Sequence, residues 1–393
     1  MPGLDQLSQI LKGLRRDRSW TKVPHPALHL TSNFFMFTFQ DLPIEVVEHV
    51  LEGLKPSDLT SVALVSRALN ALAENFLYRA VYFSSVPSAG GFLRAVARNE
   101  SKVVLVRSLH WEFHLGVWHT IGRPKVFNGA VLLLKNLETL RLVAHPGILC
   151  NEIDVLPRCK YPKLKSLEYG PFEGRLGAQS LSAFVDLHPS LTTLKLPLYT
   201  ETPASALYLP ELEIFSGPAT LLPFLSGATR LSTACLLTEA ETHLDADQVL
   251  EELARKSSGL LKELGCISPL GGSAFFNAAA DWLPGLQHFA IYYHAEGTTE
   301  PSTIVKDICQ RFVRFKSLVT FQYAPLSCLL RSAPVPHHLV PLHRLSGSSL
   351  RYCSWFGYHW RWEDNTQTWE KIRATHASNL VPGLKELAEH YLS

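Results

Sequence analysis

The residues best suited to chemistry are two histidine groups, seven cysteines and one aromatic string. His110, His114 and His119 stand close together, as do His337, His338 and His343. A metal site needs ligands brought to one point, and neither group combines helical i, i+4 placement with a third ligand nearby. Both read as solvated or core-edge histidines. Cys150, Cys159, Cys235, Cys266, Cys309, Cys328 and Cys353 are scattered, odd in number and include no Cys-x-x-Cys pair. They read as reduced, buried thiols of a cytoplasmic or nuclear protein, not as a disulfide framework or a zinc site. The sequence contains no Gly-x-Gly-x-x-Gly, Gly-x-x-x-x-Gly-Lys-Ser/Thr, His-Glu-x-x-His or Gly-x-Ser-x-Gly. Its acidic residues are dispersed, so no carboxylate pair suggests general acid–base work. No catalytic residue, cofactor or metal is expected.

The aromatic string runs from Ser354 to Glu363, where Phe356, Tyr358, Trp360 and Trp362 alternate with Gly357, His359 and Arg361. In an extended chain these rings, with Tyr352 before them, would project as one wall. Large rigid rings make good binding anchors because they desolvate well at small entropic cost. The same wall could instead seal the end of a repeat array, and both readings stay open at this point.

The elements that would position such a wall are repeats. Ten hexads carry large apolar residues at positions one, four and six, starting at Val106, Leu137, Leu164, Leu191, Leu212, Leu231, Leu261, Leu286, Leu318 and Leu350. Their starts are 19 to 32 residues apart, which brackets the leucine-rich-repeat range of roughly 20–29 and strays beyond it. Alternation over positions four to six predicts a strand with one buried face. Position five then faces solvent, and there stand Arg141, Glu168 and Lys195, followed by small residues such as Ser216, Cys235, Gly265 and Ala290. Gly217 and Ala234 are the poor core fillers among positions four and six. Helical text fills several intervals, including 245–256 and 302–315. A strand and a helix per repeat predict an α/β solenoid of horseshoe type over 85–393, with position five concave and a C-terminal cap.

Composition agrees with a folded chain, at 46% hydrophobic and 18% charged residues. A formal net charge of +2 gives no electrostatic reason to expect nucleic acid or an acidic membrane. The longest suspicious apolar patch, Phe34 to Phe39, is far too short to span a bilayer. Leu4, Leu7, Leu11 and Leu14 fall at helical spacing, but Asp5 and Asp17 interrupt the basic face a transit peptide would need. Residues 1–40 read as irregular or loosely helical.

From Asp41 three short amphipathic helices are expected. Pro43 suits a first turn, and Val46, Val47, Val50, Leu51 and Leu54 form an apolar stripe that Gly53 and Pro56 end. Ser57 is expected to cap the second helix, which carries Leu59 and Val62. Leu69, Leu72, Ala73, Phe76 and Leu77 mark the third. Below about 40 residues a domain needs a partner or a staple, so this module should lean on something.

The string resembles the F-box. Its Leu-Pro-x-Glu pattern is met by Leu42, Pro43 and Glu45, and its Pro/Asp-Leu turn by Leu54, Pro56, Asp58 and Leu59. The hydrophobic-Val-Cys-Arg segment is met by Leu64, Val65, Ser66 and Arg67, and the terminal pair by Leu77 and Tyr78. Two positions depart: Ser66 stands where many members have Cys, and Leu69 where many have an aromatic. The resemblance implies an F-box over 41–84 and, with the irregular repeats, an F-box protein of fungal type. It implies that Leu42, Pro43, Glu45, Val46, Val50, Leu54, Leu59, Leu64 and Val65 dock a Skp-family adaptor and, through it, a cullin. The chain would then be the non-catalytic substrate receptor of an SCF-type ubiquitin ligase, with an unknown protein target. Arg141, Glu168, Lys195, Tyr352, Phe356, Tyr358, Trp360 and Trp362 would contact that target. A Skp-bound scaffold outside any ligase and an α/β-fold enzyme stay as alternatives.

Overall fold

The computed structural model describes residues 42–83, most of 91–113, 131–144, 156–170, 178–197, most of 203–238, 245–268, 273–293, most of 308–325, 349–355 and 358–372. They divide after Gly53 into two compact units. In the first, α1 (Ile44–Glu52) buries Val47 and Leu51, an i, i+4 pair on one helical face. Pro43 stands at the N-cap, one position earlier than expected, and its carbonyl accepts from the N–H groups of Val46 (3.0 Å) and Val47 (3.2 Å).

The second unit begins with α2 (Pro56–Ala63) and α3 (Arg67–Arg79), which pack against each other. Ser57 is not the cap of α2. Pro56 takes the first helical position, where its missing N–H costs nothing, and this moves the N-cap back to Lys55. Leu59 and Ala73 are the buried side chains of the two helices. Helix α3 then runs straight into β1 (Ala80–Phe83). The expected boundary at 84 therefore falls just after a strand that belongs to the sheet.

Among the described residues that sheet has thirteen strands. After β1 come β2 (Ser108–Phe113), β3 (Thr139–Ala144), β4 (Ser166–Tyr169), β5 (Thr193–Lys195), β7 (Ile214–Pro218), β9 (Thr233–Leu237), β10 (Glu263–Ser268), β11 (His288–Tyr293), β12 (Thr320–Pro325) and β13 (Tyr352–Trp355), all parallel and in chain order. β14 (Tyr358–Glu363) and β15 (Thr368–Ile372) close the series antiparallel. The skipped numbers, β6 (Leu207–Tyr208) and β8 (Leu225–Ser226), pair with each other in a separate two-stranded sheet.

The ten hexads are ten of these strands, in one register. Leu109, Leu140, Leu167, Leu194, Phe215, Ala234, Leu264, Phe289, Phe321 and Cys353 lie side by side as successive partners. Their position-one residues are all 0–5% exposed. Burying a leucine this completely contributes about 1.5–3 kcal/mol relative to leaving it in water. The backbone repeats too: the Arg107 carbonyl accepts from Glu138 (2.7 Å) and Thr139 (3.0 Å), and the Glu138 carbonyl from Lys165 (2.8 Å) and Ser166 (3.1 Å). β1 supplies an eleventh copy, in which Tyr78, Val81 and Phe83 take the three apolar positions and Val81 pairs with Leu109. Gly217 is no defect, since a Cβ there would lie 3.2 Å from the Phe215 ring and 3.3 Å from the Leu196 carbonyl.

Interval length decides what covers the inward face. After the short helix α4 (Glu100–Val103), helices α5 (Ala178–Asp186), α6 (Ala246–Ser257) and α7 (Ser273–Trp282) lie in intervals of 25 residues or more, whereas the 19-residue interval after Leu212 holds the 3-10 turn Ala219–Phe224 and β8. At about 1.5 Å per residue a packed helix needs more chain than the short interval has left. In α6, Asp245 caps the helix by accepting from Asp247 N–H at 3.1 Å, and Val249, Leu250 and Leu253 join the main core. Of the expected helix over 302–315, Ile308 and Phe312 are buried and Phe312–Arg314 is a 3-10 turn; 302–307 and 309 lie outside the described residues. Phe276 of α7 collects Phe289, Phe312, Phe315 and Phe321, with ring centroids 5.4–5.9 Å away.

His188 ties α5 to its neighbouring repeat. Its Nε2 accepts from Tyr161 N–H at 2.9 Å, so its proton sits on Nδ1 and is donated to the Phe184 carbonyl at 2.6 Å. Burial holds this imidazole below its ordinary pKa, against the pull of the Phe184 carbonyl. A depressed folded-state pKa contributes stability that is full above the unfolded value near 6.5 and is lost as pH falls below it. Melting temperature should therefore drop between pH 7.5 and 5.5. His359, depressed in the same direction by burial, adds to that slope. The His188→Gln variant should be less stable at pH 7.5 and have a shallower slope; an unchanged slope would assign the pH dependence elsewhere.

Candidate protein-docking site

Two places in the N-terminal segment leave large apolar side chains in water. On α1, Ile44 is 54% and Val46 is 40% exposed. In the turn between α2 and α3, Leu64 is 85% and Val65 is 70% exposed. Isolated exposed apolar residues need no explanation, whereas two adjacent ones on an ordered turn make that turn the candidate docking site. The turn is tied at both ends. Leu64 N–H donates to the Ser61 carbonyl (3.3 Å) and Val65 N–H to the Val62 carbonyl (3.0 Å). Ser66 Oγ accepts from Leu69 N–H at 3.2 Å, capping α3.

Of the other residues expected to dock the adaptor, Pro43 and Glu45 are exposed, while Leu42, Val50 and Leu54 are half-buried. Leu59 is buried, because its place on α2 turns it inward, so it supports the helices and cannot itself touch a partner. Ile44 was missed. It lies between Pro43 and Glu45, on the solvent side of the first turn.

The face carrying position five is less open than alternation predicts. Arg141, Glu168 and Lys195 are adjacent in register, as expected. Yet Glu168 is buried, with Oε1 3.0 Å from Arg141 Nε, and Arg141 and Lys195 are half-buried. Further along, Ser216, Cys235, Gly265, Ala290 and Ser354 are all buried. Cys235, Leu237, Ile267 and Ala290 form a second apolar cluster against which Tyr292 packs. At the first strands, Tyr82 stays exposed, donates its hydroxyl hydrogen to Glu112 and meets His110 edge-on at 4.5 Å.

The described part of the aromatic string lies in β13 and in β14, which pairs antiparallel with β13 and β15. Trp360 and Trp362 belong to the main core, with Trp369 of β15 edge-on to Trp362 at 5.5 Å. Their rings therefore cannot serve as open anchors. Tyr352 and Tyr358 are half-buried, and Lys371 Nζ stands 4.2 Å above the Tyr358 ring. Phe356 lies outside the described residues, as do His114, His119, His337, His338 and His343.

Among the described residues no group of three or more His, Cys, Asp or Glu is placed to hold a metal ion. Burial, opposed by Lys195 and assisted by Glu263, pushes the Cys235 thiol up to about 12, so it is not a nucleophile at neutral pH. No helix among the described residues is long and apolar enough to cross a membrane.

Among solved structures, a Bacteroides fragilis protein is 16% identical, with 60% of this chain and 82% of its own covered, at a TM-score of 0.37. A chain from the yeast Rad7 and Elc1 complex is 16% identical, with 78% of this chain and 72% of its own covered, at a TM-score of 0.41. No curated protein matches the chain. The family model described as F-box-like matches residues 39–84, the segment that carries α1, the Leu64–Val65 turn and β1. These residues form an F-box-like domain, followed by a mixed α/β region.

Proposed function

We propose that this chain is the substrate-holding subunit of an SCF-type cullin–RING ubiquitin ligase. Its F-box-like segment docks a Skp-family adaptor, and the following strands act as a leucine-rich-repeat-like solenoid that holds a target protein. The observation that carries this reading is the exposure of Leu64 and Val65 on an ordered turn inside the F-box-like match. Side chains of this kind are stabilised by a partner's apolar surface. The mechanism is proximity. The adaptor sits on a cullin that also carries a RING protein and a ubiquitin-conjugating enzyme, and the target's lysines are held at high effective concentration near the charged enzyme. The chain supplies no nucleophile. Arg141, Lys195, Tyr352 and Tyr358, the half-exposed members of the expected contact set, are where the target is held.

Affinity purification of the full chain with the proteasome inhibited, followed by mass spectrometry, tests adaptor, cullin and target together. Enrichment of adaptor and cullin is the expected result. Adaptor without cullin would make the chain a Skp-bound scaffold outside a ligase, and neither would overturn the reading.

A further inference from the structure

We infer that Ser66 is the positioning residue of the docking turn: its cap on α3 holds Leu64 and Val65 in the shape that the adaptor reads. The inference rests on the docking function proposed above. Leu64 and Val65 are the two most exposed large apolar side chains among the described residues, and with Ser66 they make up the three-residue link between the helices. Its α2 end is closed by backbone hydrogen bonds to Ser61 and Val62. Its α3 end has one backbone tie, Asn70 N–H to the Ser66 carbonyl at 2.8 Å, and one side-chain tie, Leu69 N–H to Ser66 Oγ at 3.2 Å.

Ser66 itself is extended, at φ −156° and ψ 161°, the backbone an N-cap residue adopts while its side chain turns back to the helix. Removing the side-chain tie frees the Val65–Ser66 link to swing, and the adaptor must then order two apolar side chains that this chain now presents already ordered. Pre-organisation of this kind raises affinity by removing an entropic cost of binding. The residue type matters. Ser and Asn are among the strongest caps, whereas a thiol would be a weak acceptor.

Ser66→Ala in the full chain should weaken binding to a purified Skp-family adaptor about 2- to 30-fold, the range a lost cap spans. In the free chain, amide exchange over residues 64–70 should speed up by a similar factor. Ser66→Asn, which caps without the hydroxyl, should restore both. Ser66→Ala binding as tightly as the parent would overturn the inference alone. Equal weakening by Ser66→Ala and Ser66→Asn would also overturn it, assigning the hydroxyl to direct adaptor contact. A parent chain that does not bind the adaptor overturns the docking reading and this inference with it.

Discussion

Leu64→Asp combined with Val65→Asp should raise the dissociation constant for a Skp-family adaptor by more than about 100-fold, since a few central anchors carry most of an interface's energy. The free chain should melt within a degree or two of the parent. Both side chains are largely in water, and exposed substitutions usually change stability by less than about 0.5 kcal/mol each. A carboxylate at either position would have to be desolvated against an apolar partner without a counter-charge, so the loss should exceed that of the double alanine variant. Titration of the two purified proteins, with thermal melts of the free chain, reads both quantities. Unchanged affinity would remove the turn from the interface and the central observation from the functional proposal.

Leu167→Asp should be the most damaging change in the sheet. Leu167 is 2% exposed and lies between Leu140 and Leu194 in the register. An unpaired carboxylate there costs several kcal/mol, enough to unfold the surrounding strands. Each strand of the parallel series pairs only with its immediate neighbours in order, so new protease cuts should appear first around β3 to β5. The adjacent Glu168→Ala separates two pictures of this face. Alternation alone makes Glu168 a surface residue whose loss is nearly silent. Its burial and its ion pair to Arg141 instead predict a loss of about 1–2 kcal/mol, below that of a fully buried pair because Arg141 keeps some access to water. A change under about 0.5 kcal/mol would return Glu168 to the surface class.

Much of this fold is legible in the residues. The hexads starting at Val106 through Leu350 reveal their own register, because a strand's buried face is written locally as alternation and each unit repeats the same text. The F-box-like segment is equally legible, since Leu42, Pro43, Glu45, Leu64, Val65 and Arg67 fall in order within a short window. β1 is not legible in the same way. Tyr78 to Phe83 fits the hexad template, but Tyr78 and Arg79 also finish α3, and only pairing with β2 decides where helix gives way to strand.

The remaining differences share one physical cause. Periodicity states which residues lie on the same face, whereas burial of that face depends on what meets it from distant parts of the chain. Trp360 and Trp362 do form one wall with Tyr358, as their spacing predicts, yet that wall faces the core. Glu168 alternates correctly out of the main core and is nevertheless buried, because Arg141 on the next strand closes over it. Leu59 and Leu64 are both leucines of one short motif, and the direction of α2 sends the first inward while the turn sends the second into water. Local sequence determined the faces; the long-range packing of the tertiary structure decided which of them met protein and which met solvent.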